Sequence, residues 1–94
     1  MNIGKQSKPV LSQKETIQID ETAWVHESAL LFGHISVGRE SSIWPHAVMR
    51  AEMSHIKIGA RSNIQDFVMV HVGATTPTII GDDCSITHHA TLHG

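Results

Sequence analysis

Histidine is the residue type in this sequence best able to do chemistry, since eight of the 94 residues are histidines. Neutral imidazole is a common ligand of zinc and of other transition metals. Three of the eight, His71, His88 and His93, stand out by their positions in a sequence repeat. The other five are interpreted as solvated or hydrogen-bonded bystanders: His26, His34, His46, His55 and His89.

Three imidazoles with a fourth position open to water are typical of a catalytic zinc site, whereas a structural site is closed by four protein ligands. Water on such an ion has its pKa lowered to about 7, so that it supplies hydroxide near neutral pH. The three histidines therefore predict metal-assisted hydration or hydrolysis, provided that the fold brings them together.

The elements that must position them come from a repeat of six residues. An aliphatic residue or methionine stands at positions 25, 31, 37, 43 and 49, then 58, 64 and 70, then 80, 86 and 92. A fixed short period is typical of a solenoid, in which each turn buries its apolar face against the next. Hexapeptide spacing predicts a parallel β-helix whose coils are triangles of three short strands, with the first residue of each unit pointing inward. The fifth residue of each unit is predicted to lie near a corner: Ala29, Ile35, Ser41, Ala47, Ser62, Val68, Cys84 and Ala90.

The repeat places His71 and His93 on one ridge, because each is the second residue of the third unit in its coil. Adjacent strands lie about 4.7–4.9 Å apart, which is close enough for two imidazoles to share one metal ion. Arg50 heads the same column. His88 is the third residue of a middle unit and leaves the prism from another side. A homotrimer around a threefold axis would bring His88 of one copy to the other two histidines of the next, so the metal site is predicted to lie between subunits.

The count of six is interrupted at residues 51–57 and 72–79, which are predicted to be loops that leave the β-helix at the same corner. Loops held by a rigid scaffold often carry function. Residues 1–15 are polar and are predicted to form a flexible arm before a first strand at 16–19, and residues 16–94 are predicted to form one domain.

Composition excludes several classes of partner. The net charge is −2 and there is no cluster of lysine and arginine, so neither nucleic acid nor a membrane surface is indicated as a partner. A small-molecule or protein partner is favoured instead. The sequence shows neither a signal peptide nor an apolar segment long enough to span a membrane, and a cytoplasmic location is expected. The single cysteine, Cys84, is interpreted as a small buried hydrophobe.

Four motifs occur in a fixed order and in phase with the hexads. They are Arg50-Ala-Glu52, Gln65-Asp66 with His71 after four further residues, Ile80-Gly-Asp-Asp83, and His88 with His93-Gly94 after four further residues. Together they resemble the gamma-class carbonic anhydrase family of left-handed parallel β-helices, over about residues 20–94. The resemblance implies a left-handed coil. Family members continue with further coils and a C-terminal helix, so residues 16–94 are predicted to be a partial β-helix domain.

The resemblance also implies roles for individual residues. His71 and His93 of one subunit and His88 of the next would be the metal ligands, and Gln65 would sit beside the metal-bound water. Arg50 and Asp66 match family residues that pair across the subunit boundary and brace the site. The implied cofactor is Zn²⁺, although Fe²⁺ and Co²⁺ also accept imidazole ligands. The implied reaction is attack of zinc-bound hydroxide on carbon dioxide to give bicarbonate, catalysed by a homotrimer.

Two departures from the family pattern keep other functions open. Glu52 stands where the family usually has aspartate, and the segment Gly73–Thr78 contains no acid that could shuttle protons. The missing acid favours a non-catalytic metal-binding or scaffold member of the same family. A hexapeptide-repeat acyltransferase is a further alternative, because such enzymes use the same prism with a single histidine as base. Three phased histidines are more than that chemistry needs.

Overall fold

The computed structural model describes residues 16–94, and the arm predicted at 1–15 lies outside the described residues. The described part consists of ten β-strands and contains no helix. The first strand lies where the sequence predicted it. The strands are β1 Thr16–Ile19, β2 Trp24–Val25, β3 Leu30–Val37, β4 Ser42–Ile43, β5 Val48–Ile58, β6 Asn63–Ile64, β7 Met69–His71, β8 Thr78–Ile80, β9 Ser85–Ile86 and β10 Thr91–His93.

All strand pairs are parallel, and they form two sheets that wrap a single core. The middle face of the prism is the sheet β2-β4-β6-β9. The other two faces belong to one bent sheet, ordered β1-β3-β5-β7-β10 with β8 beside β5. The architecture is the parallel β-helix that the repeat of six residues predicted, with the left-handed coil that the family resemblance implied. The prediction of three separate short strands in every coil is not met at β3 and β5. Each of these strands continues across the corner between two faces.

The inward positions of the hexads form the core, as predicted. Val25, Ile43, Ile64 and Ile86 are stacked by consecutive parallel pairings in the middle face. Every first residue of a unit from Val25 to Ile80 is at most 6% exposed. Each Å² of apolar surface that is buried contributes about 25 cal/mol to the free energy of folding. These buried columns are therefore the main source of stability. The core is narrow and consists of aliphatic side chains, methionine and alanine.

A column of serines explains why small residues recur at the fifth position. The Ser41 hydroxyl donates to the Gly59 carbonyl at 2.6 Å and accepts the backbone N–H of Ser62 at 3.0 Å. The Ser62 hydroxyl repeats the pattern one coil later, donating to the Gly81 carbonyl at 2.6 Å and accepting from Cys84 N–H at 3.0 Å. Each hydroxyl therefore satisfies two backbone groups that the turn leaves without strand partners.

Within residues 16–94, six residues other than glycine adopt positive φ at the corners on either side of the middle face. They form two columns, Glu40, Arg61 and Asp83 at one corner and His46, Phe67 and His89 at the other. A left-handed conformation costs an L-residue about 1–2 kcal/mol. The second column offsets part of that cost by stacking, since the Phe67 ring lies 5.0 Å from the His46 ring and 5.1 Å from the His89 ring.

Extra residues enter the coil at the corner where β3 and β5 bend. Gly33 pairs with Ala51, but the next residue, His34, pairs with His55, so residues 52–54 have no partner in β3. The prediction of a loop at residues 51–57 is therefore wrong. Strand β5 runs through them without a break and accommodates the extra residues as a bulge. Bulges bend a strand and redirect its side chains.

Gly33 makes room for this bulge. Its φ is +89°, and a Cβ at this position would lie 2.1 Å from the Ala51 carbonyl oxygen. The second interruption leaves the β-helix at the same corner, as predicted, since it joins the end of β7 at His71 to the start of β8 at Thr78. It is closed by a hydrogen bond of 2.9 Å from Gly73 N–H to the Thr76 carbonyl.

Among residues 16–94, no helical segment has the length and apolar character that crossing a membrane requires.

Candidate metal centre

Three of the predicted site residues form a continuous ridge on the third face. Arg50 of β5 pairs in register with His71 of β7, and His71 pairs with His93 of β10. The two imidazole rings lie 5.0 Å apart between centroids at an interplanar angle of 76°. Nδ1 of His93 lies 3.0 Å from the Gly94 carbonyl. If Nδ1 carries the proton and donates to that carbonyl, Nε2 is the nitrogen left to bind a metal.

A buried carboxylate, Glu52, ties this ridge together. Glu52 is 8% exposed and lies in the bulge of β5. Arg50 donates from Nε to Glu52 Oε2 at 2.7 Å, and its Nη2 contacts the same oxygen. The other carboxylate oxygen, Oε1, lies 3.2 Å from His71 Nε2. Arg50, Glu52 and His71 therefore form one cluster of polar side chains in contact within a single chain.

The electrostatics of Glu52 favour its charged form. Burial raises the pKa of its carboxyl, but a backbone hydrogen bond and the hydrogen bond and charge of Arg50 outweigh burial. The charge of His71 acts in the same direction. The pKa of Glu52 therefore lies below its usual range, and the side chain is a carboxylate near neutral pH.

The remaining predicted site residues lie beside the middle face. His88 Nδ1 lies 3.4 Å from Asp66 Oδ1. Gln65 donates from Nε2 to Asn63 Oδ1 at 2.8 Å, which fixes the orientation of its amide. These four residues and Trp44 line an open cavity of about 350 Å³. The cavity combines an apolar indole wall with an amide, a carboxylate and an imidazole.

One chain does not unite the two groups. Within residues 16–94, no three side chains of histidine, cysteine, aspartate or glutamate converge so that they could hold a metal ion. Inside the chain, Arg50 takes Glu52 as its partner and Asp66 approaches His88, so the predicted pairing of Arg50 with Asp66 is one that only a second copy could supply.

His71 and His93 are donors of the type that the predicted zinc ion takes, but residues 16–94 of one chain do not complete a site. His71 and His93 present imidazoles side by side, and the buried Oε1 of Glu52 has no hydrogen-bond partner. His88 is more than half exposed and is free to reach a neighbouring molecule.

Glu52 is the site residue whose position the sequence did not predict. The sequence does contain an indication of this position. Residues two apart in a strand project from the same side, and Arg50 precedes Glu52 by two residues, so a contact between them could have been predicted. An acidic residue inside an interruption of the repeat nevertheless suggests an exposed loop. Phe67 was also missed, although it follows Asp66 directly and fills a corner between two histidines that were interpreted as bystanders.

No family model matches the sequence. The chain is 44% identical over 86 residues to gamma carbonic anhydrase 3, a mitochondrial protein of Arabidopsis thaliana, and the match covers 85% of this chain and 33% of the relative. It is 42% identical over 76 residues to a protein of Methanocaldococcus jannaschii named "Probable carbonic anhydrase", covering 81% of this chain and 48% of the relative.

Among solved structures, the chain superposes on a hexapeptide transferase family protein from Anaplasma phagocytophilum with a TM-score of 0.78. The sequences are 34% identical, and the match covers 84% of this chain and 46% of the other. The chain thus spans a third to a half of the length of the relatives that it matches.

Proposed function

This chain is a homologue of the gamma carbonic anhydrases over most of its length, and from that relationship we propose that it hydrates carbon dioxide to bicarbonate at a zinc site shared between subunits of a homotrimer. The observation that carries the proposal is the pairing in register of His71 with His93, whose rings lie 5.0 Å apart, with His88 on an adjacent side of the same prism. Two ligands on one ridge and a third on another face suit a site that two copies complete.

The proposed roles follow from the contacts of each residue. His71 and His93 of one subunit and His88 of the next hold the ion, which supplies a hydroxide nucleophile near neutral pH when it is bound. Gln65 is held by Asn63 at 2.8 Å and presents its amide at the cavity beside His88, where it can orient a small polar substrate. A fixed amide loses little entropy when it binds.

Arg50 and Asp66 support the seam rather than the reaction. Both side chains are partly exposed within one chain. If they formed an ion pair between two copies, association would remove water from both and cost desolvation free energy. Such a pair helps only when its geometry is good, so removing either member should loosen assembly and metal binding together. Iron(II) and cobalt(II) remain candidates beside zinc, since imidazole accepts all three.

The test measures oligomeric mass, metal content and hydration rate on the same anaerobically purified protein. We expect a trimer, about one metal ion per chain and a carbon dioxide hydration rate above buffer with zinc, iron(II) or cobalt(II). His93→Ala should abolish both metal content and rate. A monomer, or a protein without metal after reconstitution, would contradict the proposed site.

A second candidate is a non-catalytic metal-binding or scaffold protein with the same assembly. The segment Gly73–Thr78, which closes beside β10, contains no carboxylate to carry a proton away. This candidate predicts a metal-loaded trimer with no hydration rate, so the same experiment separates it from the enzyme.

An acyltransferase is the third candidate, because the solved relative from Anaplasma phagocytophilum is named as a hexapeptide transferase family protein. This candidate predicts binding of coenzyme A independent of metal, which calorimetry on the metal-free protein would detect. The cytoplasmic location predicted from the sequence stays a prediction, and the relative from Arabidopsis thaliana is named as mitochondrial.

A further inference from the structure

One corner of the β-helix carries a column of aromatic rings. His46, Phe67 and His89 lie at the turns that join the middle face to the third face. The Phe67 ring is nearly parallel to both imidazoles, at interplanar angles of 20° and 4°. All three residues are exposed within one chain, and Phe67 is 53% exposed. The column therefore lies outside the core and does not help to fill it.

The backbone makes aromatic residues costly at this corner. The angle φ is +63° at His46, +62° at Phe67 and +63° at His89. Glycine, asparagine and aspartate adopt this left-handed region more readily than a bulky residue does. Stacking between exposed rings offsets part of the strain. Strained residues of this kind often mark a functional surface.

The other corner of the middle face has the same backbone conformation and a different chemistry. Glu40, Arg61 and Asp83 occupy the equivalent positions there, with φ between +54° and +57°. All three are exposed, and Arg61 forms an ion pair with Asp83. Charged residues are depleted and aromatic residues are enriched at the centres of protein interfaces. The charged corner thus suits water, whereas the aromatic corner suits contact with another molecule.

Exposed apolar side chains also lie on the two faces that meet at the aromatic corner. Trp24 and Trp44, beside the middle face, are each 40% exposed, and their rings lie 4.8 Å apart. Leu30 on the third face is 37% exposed. Contiguous exposed apolar surface commonly marks an interaction site. On the first face, the row of outward register partners is polar apart from Ile79, and its other members are Gln18, Ser36 and Lys57.

The proposed seam determines which corner points toward the centre of the trimer. In that seam, the middle face of one prism lies beside the third face of its neighbour. Around a threefold axis every copy uses both faces, so the corner that these two faces share must point at the axis. The aromatic column occupies this corner.

We infer that the aromatic column is an assembly surface, which packs on the threefold axis against the same column of two further copies of this chain. This inference rests on the proposed homotrimer and deepens it, because it adds an axial contact that needs no metal. The Phe67 rings of the three copies form its centre, with the rings of His46 on one side and those of His89 on the other. Burial of these rings in the assembly offsets the strain at the corner.

Phe67→Asp tests this contact, because it places three carboxylates near the axis while aspartate tolerates the left-handed backbone better than phenylalanine does. Sedimentation equilibrium measures the concentration at which half of the trimer dissociates, and circular dichroism checks the fold. We expect this concentration to rise by at least about tenfold, as loss of a central aromatic contact typically causes. Phe67→Leu, which keeps an apolar side chain, should have a smaller effect.

Arg61→Asp is the matched control. It places the same new residue at the equivalent position of the other corner, where φ is +54°. It should leave the dissociation of the trimer unchanged. Equal effects of Arg61→Asp and Phe67→Asp would overturn the inference.

Cysteine cross-linking locates the corner without requiring the trimer to dissociate. Phe67→Cys and Arg61→Cys are compared in a Cys84→Ser background, so that each copy has a single thiol. At low protein concentration, a short bismaleimide should link two copies of Phe67→Cys and leave Arg61→Cys unlinked. Any other pattern would overturn the inference.

The inference and the proposed function can fail separately. A monomeric parent would contradict both. A metal-loaded trimer in which Phe67→Asp has no effect would contradict only the inference. A trimer that takes up no metal, but that Phe67→Asp dissociates, would contradict the proposed metal site and support the axial contact.

Discussion

The imidazole rings of His71 and His93 lie 5.0 Å apart because the two residues are register partners in neighbouring parallel strands. No side-chain flexibility is needed to bring them together, since the backbone spacing of the β-helix does so. The third predicted ligand, His88, has no histidine as a register partner among residues 16–94 and approaches Asp66 instead. This asymmetry allows a shared site to be tested genetically.

Mixed oligomers should recover metal sites that neither parent possesses. His71→Ala and His88→Ala are each expected to lose metal binding. Trimers reassembled from an equal mixture should regain about one quarter of the sites, because a seam is intact only when each side contributes its unmutated histidine. The measurement is metal per chain after joint refolding. A mixture of His71→Ala with His93→Ala is the control and should recover nothing.

Gly33→Ala should destabilise the fold and displace the bulge. Positive φ and the contact with the Ala51 carbonyl oxygen both oppose a methyl group at this position. Backbone strain of this kind costs about 1–3 kcal/mol, and a lower urea midpoint should report it. Gly81→Ala is the control, because a Cβ there meets nothing within 4 Å. Equal effects of the two substitutions would contradict this account of the corner.

Ser62→Ala should be costly although it removes a single oxygen. The change leaves the Gly81 carbonyl and the Cys84 N–H without the hydroxyl that now serves both. An unsatisfied buried polar group costs about 1–3 kcal/mol, so thermal unfolding should shift down measurably. Ser85→Ala removes a hydroxyl whose hydrogen bond from Asn63 Nδ2 at 3.0 Å is exposed to water, so it should stay within about 0.5 kcal/mol of the parent. A neutral Ser62→Ala would show that water replaces the hydroxyl.

The ion pair of Arg61 with Asp83 should contribute stability that depends on pH. The hydrogen bond and charge of Arg61 lower the pKa of the Asp83 carboxyl. A lowered native pKa gives stability that is present above the unfolded value of about 3.9 and is lost as pH falls through the native value. Asp83→Asn should therefore be less stable than the parent at pH 7 but equal to it in strong acid.

Urea midpoints measured from neutral pH into strong acid check this prediction. Both side chains are well exposed, so added salt should shrink the difference at neutral pH. A difference that widens in acid would contradict the assignment of the pKa shift to Arg61.

The core and the ridge were predictable from the sequence because one period controls both. Once Val70 and Leu92 are placed inward, His71 and His93 must project outward from adjacent strands. The burial of Glu52 was not predictable in this way, since it depends on a bulge that passes so close to Gly33 of another coil that a Cβ there would collide with Ala51. The unbroken course of β5 was missed for the same reason. The seam and the trimer stay predictions.

Residues at equivalent positions in successive coils are 18, 21 or 22 residues apart in the sequence, so the coils differ in length. The inward-facing aliphatic residues nevertheless remain aligned from coil to coil. All the added length leaves at one corner, beside the neighbouring imidazoles of His71 and His93. That corner is therefore a natural graft point, where a peptide of new composition could be displayed next to the histidine ridge while the interior remains untouched.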